Sequence, residues 1–144
     1  MKNTKECATI HIVNSQGVGE EKSSIDFKAD CECYKNNGDV FITYQEPHKS
    51  GTEGARVFLK IRENSVCMRR MGDFKSVLTY DEGKITDAVY RTPFGDMDMR
   101  INTSLIENKL SDLGGSLKIN YTVYLAGDEI ENEILLEILK EQKI

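Results

Sequence analysis

Along this chain, short runs of alternating apolar and polar residues recur, separated by clusters of turn-forming residues. Successive side chains of a strand point to opposite faces, so a period of two marks a strand with one buried side. In 25–33, Ile25, Phe27, Ala29, Cys31 and Cys33 share one face and Asp26, Lys28, Asp30 and Glu32 the other. In 40–46, Val40, Ile42, Tyr44 and Glu46 oppose Phe41, Thr43 and Gln45. In 55–62, Ala55, Val57, Leu59 and Ile61 oppose Arg56, Phe58, Lys60 and Arg62. Val66, Met68 and Arg70 share a face in 64–71. In 94–103, Gly95, Met97, Met99, Ile101 and Thr103 oppose Phe94, Asp96, Asp98, Arg100 and Asn102. In 117–125, Leu117, Ile119, Tyr121, Val123 and Leu125 oppose Lys118, Asn120, Thr122 and Tyr124. The intervening turn signals are NNGD at 36–39, RENS at 62–65, DEGK at 81–84, LGG at 113–115 and AGDE at 126–129. Many short strands with one apolar side and turns between them predict an all-β fold, an antiparallel sheet that can close on itself and so hide its edges.

Two segments are ambiguous. In 104–112, Ser104 and Glu107 have the spacing of a helix capping box, so a short helix competes with a bent continuation of the preceding strand. In 129–143, Ile130, Ile134 and Ile138 with Leu135 and Leu139 fit a helical face, whereas Ile134, Leu136 and Ile138 fit a strand. A strand is expected at least through Ile138, because AGDE reads as a hairpin turn and a barrel needs its last strand.

The totals narrow the setting. A chain of 144 residues fits one domain spanning 1–144, large enough to bury a core without disulfides. A net charge of −5 with both signs interspersed disfavours nucleic acid and anionic membrane surfaces as partners. The N-terminal stretch lacks the features of a signal peptide, and no run approaches a membrane-spanning length. The expected location is therefore the cytoplasm, with Cys7, Cys31, Cys33 and Cys67 as reduced thiols.

Candidate chemistry is sparse. Asp96 and Asp98 resemble a metal-binding pair, but they continue an outward row beside Arg100, whereas a hard cation needs converging oxygens. Cys31 and Cys33 lie on an apolar face and have no second thiol pair, so core packing outranks a zinc or redox role. His11 falls on the face opposite Ile10 and Ile12, and His48 sits in a loop; neither belongs to a visible catalytic arrangement. Phosphate-loop, dinucleotide, nucleophile-elbow and zinc-protease motifs are missing, so no cofactor, metal or catalytic residue is expected. The glutamates of 129–141 read as a solvated face.

Polar residues on inward faces are more informative. Alternation places Tyr44, Glu46, Arg70, Thr103 and Tyr121 there. Desolvating a lone charge is costly, so Glu46 and Arg70 are expected to pair with each other. The set is either a structural ion pair completed by tyrosine hydroxyls or the polar anchor of a ligand cavity.

These residues belong to a wider spaced pattern: Tyr44 with Glu46, Arg70 with Gly72, Tyr90-x-Thr92-Pro93-Phe94-Gly95, then Thr103, Gly114-Gly115 and Tyr121. In this the sequence resembles the YwiB-like bacterial β-barrel family, of unknown function, in the calycin (lipocalin-like) group. The resemblance covers nearly the whole chain, and YRTPFG is its most specific element. It implies a closed or nearly closed antiparallel lipocalin-like barrel of about eight to ten strands. It also implies a strand near 130–138 and supplies no catalytic residues. The leading functional expectation is a non-enzymatic module binding a small apolar or amphipathic molecule through Tyr44, Glu46, Arg70, Thr103 and Tyr121. The alternative is a homo-oligomeric or protein-binding scaffold with a side-chain-filled barrel, using Phe41, Phe58 and Tyr124. An enzyme built on Glu46 and Arg70 ranks third.

Overall fold

The alternating runs become ten antiparallel strands in a computed structural model that describes residues 6–47, 54–72, 75–111 and 114–140. They are β1 (Glu6–Val18), β2 (Glu21–Asn36), β3 (Asp39–Gln45), β4 (Arg56–Ile61) and β5 (Ser65–Met71), followed by β6 (Lys75–Asp81), β7 (Ile85–Thr92), β8 (Gly95–Ser111), β9 (Gly114–Leu125) and β10 (Asp128–Lys140). Each strand pairs with its neighbour in sequence, and β10 returns to pair with β1, closing the barrel. That seam sets Ile10 opposite Ile138 and Ile12 opposite Leu136. The terminal segment is thus a strand running to Lys140, as AGDE and the alternation of Ile134, Leu136 and Ile138 require.

Turn chemistry accounts for the hairpins. Asn37 and Gly38 have φ of 53° and 86°, and Ala126 and Gly127 have φ of 51° and 85°. Paired positive φ values match the right-handed twist of the flanking strands. Between β7 and β8, Thr92 Oγ1 donates to the Gly95 carbonyl at 2.8 Å and accepts from the Phe94 N–H at 3.1 Å. The TPFG motif is therefore a turn held by its own threonine. Gly114 and Gly115 have φ of 109° and 129°, and a Cβ there would run into the carbonyls of Ile138 and Lys109.

The segment 104–112 corrects the helical alternative. β8 continues through Ser111 with a register shift between Thr103 and Leu105. One extra residue there moves the buried set from Ile101 and Thr103 to Ile106. Ser104 and Glu107 do not cap a helix. Ser104 Oγ donates to the Asn120 carbonyl at 3.2 Å, and Glu107 lies opposite Lys118 on β9.

Inward faces carry the core. Ile10, Ile42, Val57, Leu59, Ile61, Ile101, Leu117 and Ile138 are buried together with Cys31 and Cys33. The two thiols lie 3.8 Å apart, far beyond a disulfide bond, and pack as core side chains. The hydrogen bond that Cys31 donates to Cys33, and then burial, push the Cys31 thiol well above its ordinary range. Outward faces are charged. Asp96 and Asp98 are exposed on the outer row, Asp96 3.8 Å from Arg91, while Arg100 pairs with Asp87 at 3.1 Å. His11 is also outward, with Nε2 2.6 Å from Asp26. His48 lies outside the described residues.

Candidate ligand cavity

The barrel is hollow over part of its length. A cavity of about 340 Å³ is lined by side chains from all ten strands, most of them apolar. Its polar groups arise from pairing register. Tyr44 on β3 lies opposite Val57 on β4, Val57 opposite Arg70 on β5, Arg70 opposite Ser76 on β6, and Ser76 opposite Tyr90 on β7. Residues directly opposite share a face, so one row around the wall collects Tyr44, Arg70, Ser76 and Tyr90. All four line the cavity. Among the described residues, β6 and β7 pair only at Lys75↔Arg91 and Ser76↔Tyr90; beyond that, the Thr86 hydroxyl reaches the Thr79 carbonyl at 2.5 Å.

Glu46 follows the end of β3, where its N–H donates to the Ala55 carbonyl at 2.9 Å. From there its Oε1 accepts from Arg70 Nη2 at 2.5 Å. The side chains are 11% and 18% exposed, so the pair is largely desolvated and screening of it is weak. Arg70 Nε is covered and has no hydrogen-bond partner. Tyr44 is buried beside this pair, its ring 6.2 Å from Phe27. Burial, and next the Glu46 charge, hold its phenol well above the usual range. Tyr121 meets Tyr80 at a ring separation of 4.6 Å, and its hydroxyl is hydrogen-bonded by Tyr80 and Asn14. Burial raises both of these phenols as well.

Of the inward polar residues expected from alternation, Tyr44, Glu46, Arg70 and Tyr121 line this cavity and Thr103 does not. Thr103 is fully buried, with its backbone tied to Gly83 and Lys84 and its hydroxyl unpartnered. Ser76, Tyr80, Asn14 and Asn132 join the lining without having been expected. The run Ser76, Leu78, Tyr80 has the same period of two and was the signal available for it. A second cavity of about 250 Å³ includes Cys33 and the Glu6–Lys140 ion pair, whose atoms are 2.9 Å apart.

The fold and interior define an up-and-down antiparallel barrel with a mixed apolar and polar cavity. The chain belongs to the family described as a domain of unknown function, DUF1934, whose model matches residues 10–137. It is 26% identical over 124 residues to the uncharacterized beta-barrel protein YwiB of Bacillus subtilis (strain 168), covering 86% of this chain and 85% of that one. The crystal structure of ywiB protein from Bacillus subtilis superimposes with a TM-score of 0.77, at 20% identity, over 97% of this chain and 96% of that one. That likeness carries the fold.

Proposed function

We propose that this protein is a non-enzymatic module that holds a small, partly apolar molecule inside its barrel. The observation that carries this reading is the hollow interior. Small barrels can be filled by their own side chains, whereas about 340 Å³ lies within the usual range of ligand pockets. The lining has the expected make-up: an apolar wall with a few buried polar groups that can fix orientation. Glu46 and Arg70 neutralise each other, which suits an anchor better than a proton-transfer pair. Outward rows such as Lys28, Asp30 and Glu32 are charged or solvated, the reverse of a barrel embedded in lipid, in keeping with a cytoplasmic protein. Native mass spectrometry of freshly purified protein tests the reading. A retained small molecule that leaves on denaturation is expected. Apo protein that no small apolar probe stabilises against heat would overturn it.

One observation favours a surface function as a second reading. Phe94 is 95% exposed at the tip of the β7–β8 hairpin, and Phe58 is exposed on β4. Of the other aromatics considered for this role, Phe41 stacks on Tyr34 at 4.8 Å and Tyr124 is half-buried. A homo-oligomer using the hairpin tip would be dissociated by Phe94→Ser. Light scattering that finds a monomer for the unmodified protein at high concentration removes this reading.

A further inference from the structure

Resting on the binding reading above, we propose that the cavity selects an uncharged molecule bearing a carbonyl-type hydrogen-bond acceptor, and that the Arg70 Nε–H is the donor that holds it. Charge and hydrogen bonding point the same way. The guanidinium is already neutralised by a carboxylate 2.5 Å away. An anionic head group approaching Arg70 would also approach Glu46, and a cationic one approaching Glu46 would meet Arg70. Either would be desolvated without a counter-charge of its own, which is costly. The remaining polar lining carries no charge to offset this. It consists of Gln16, Ser76, Asn14, Asn132, Tyr90 and the phenols of Tyr44, Tyr80 and Tyr121, which burial keeps protonated.

The donor itself is specific. Arg70 spends Nη2 on Glu46, while Nε–H is covered and unpaired. A buried donor left without an acceptor is unfavourable, so a ligand oxygen that satisfies it gains what the empty cavity lacks. A neutral carbonyl oxygen does so without the Glu46 repulsion that a carboxylate would feel. On β1, Asn14 Oδ1 is likewise covered and unpartnered, which leaves an acceptor for an N–H or O–H elsewhere on the same molecule. The body of the ligand would lie against Phe27, Met68, Leu78, Met99 and Ile119. At about 30 Å³ for a water-sized group, the space holds roughly eleven such groups, so the molecule is small.

Three probes with matched chains separate the classes: methyl heptyl ketone, nonanoate and nonylammonium, titrated calorimetrically at neutral pH into the full-length protein. The ketone is expected to bind at least tenfold more tightly than either ion. Arg70→Met should weaken the ketone and cancel its advantage over nonylammonium, which then meets Glu46 without a competing cation. Glu46→Gln strips Arg70 of its counter-ion and should move the preference at least tenfold toward nonanoate. This second variant keeps the test decisive if Arg70→Met does not fold. Equal or tighter binding of either ion to the unmodified protein overturns the selectivity and leaves the binding reading standing. Silence with all three probes overturns both.

Discussion

Two portions of the barrel interior are built from the same alternation and end in opposite states. In one, Ile10, Val57, Ile61 and Ile101 are at most 1% exposed and line neither cavity; their side chains fill the space between facing strands. In the other, Tyr44, Tyr80, Tyr121 and the Glu46–Arg70 pair stand around an open volume. Branched aliphatic side chains mesh at crystal-like density, whereas groups with hydrogen bonds to keep are fixed by partners at the wall and cannot collapse inward. The solid portion supplies stability, and the hollow portion gives some up to keep an interior surface available.

Ways to break this contrast can be ordered by expected effect. Ile101→Ala opens a void in the solid portion and should cost about 4 kcal/mol. Urea denaturation should show a lower midpoint with an unchanged slope.

Alkaline pH probes the other portion. Burial raises Tyr44, Tyr80 and Tyr121 above the usual phenol value near pH 10. Above that pH the unfolded chain releases protons that the folded one retains, so stability must fall as pH rises. It is complete below about pH 10 and declines by at most about 1.4 kcal/mol per pH unit for each phenol until the folded form also ionises. Thermal unfolding between pH 8 and 11 should follow this trend, and Tyr80→Phe with Tyr121→Phe should flatten it.

Arg70→Met takes the guanidinium away from a Glu46 carboxylate that stays largely covered. Both side chains keep some contact with water, so the cost should be about 2 kcal/mol, below the range for fully buried pairs. Adding Glu46→Gln should restore at least half of it, as a double-mutant cycle in denaturant would report. The smallest effect belongs to Met68→Ala. This half-buried residue already faces open space, so its removal should cost about 1 kcal/mol. A loss as large as that of Ile101→Ala would mean that the two portions are equally packed, and the contrast would fail.

Much of this was legible from period two alone. Tyr44, Glu46, Arg70 and Tyr121 were placed inside by counting alternate positions, and the structure sets them around one space. Counting could not show which inward residues become neighbours, because that depends on the register of separate strands. Hence Arg70 meeting Ser76 across β5 and β6, and the Tyr80–Tyr121 contact, were missed. Thr103 shows the same limit: its inward face was right, yet it lies beside the β6–β7 turn and off the cavity wall. The choice between helix and strand in 104–112 turned on one extra residue, which cross-strand pairing tolerates and a capping pattern conceals. Whether the barrel is hollow depends on volumes summed over all the strands, which no single run expresses.

The pairing of β1 with β10 governs how the chain must assemble. Every other ladder joins strands adjacent in sequence and can form as soon as its second strand is made. This last ladder brings Ala8 against Lys140, so synthesis must pass residue 140 before it can zip. Until then, the nascent sheet has two free margins and an uncovered greasy side, as in any unfinished β structure prone to self-association. Residues 128–140 therefore act as the latch of the molecule, and truncating them should trap newly made chains in aggregates rather than yield a smaller barrel.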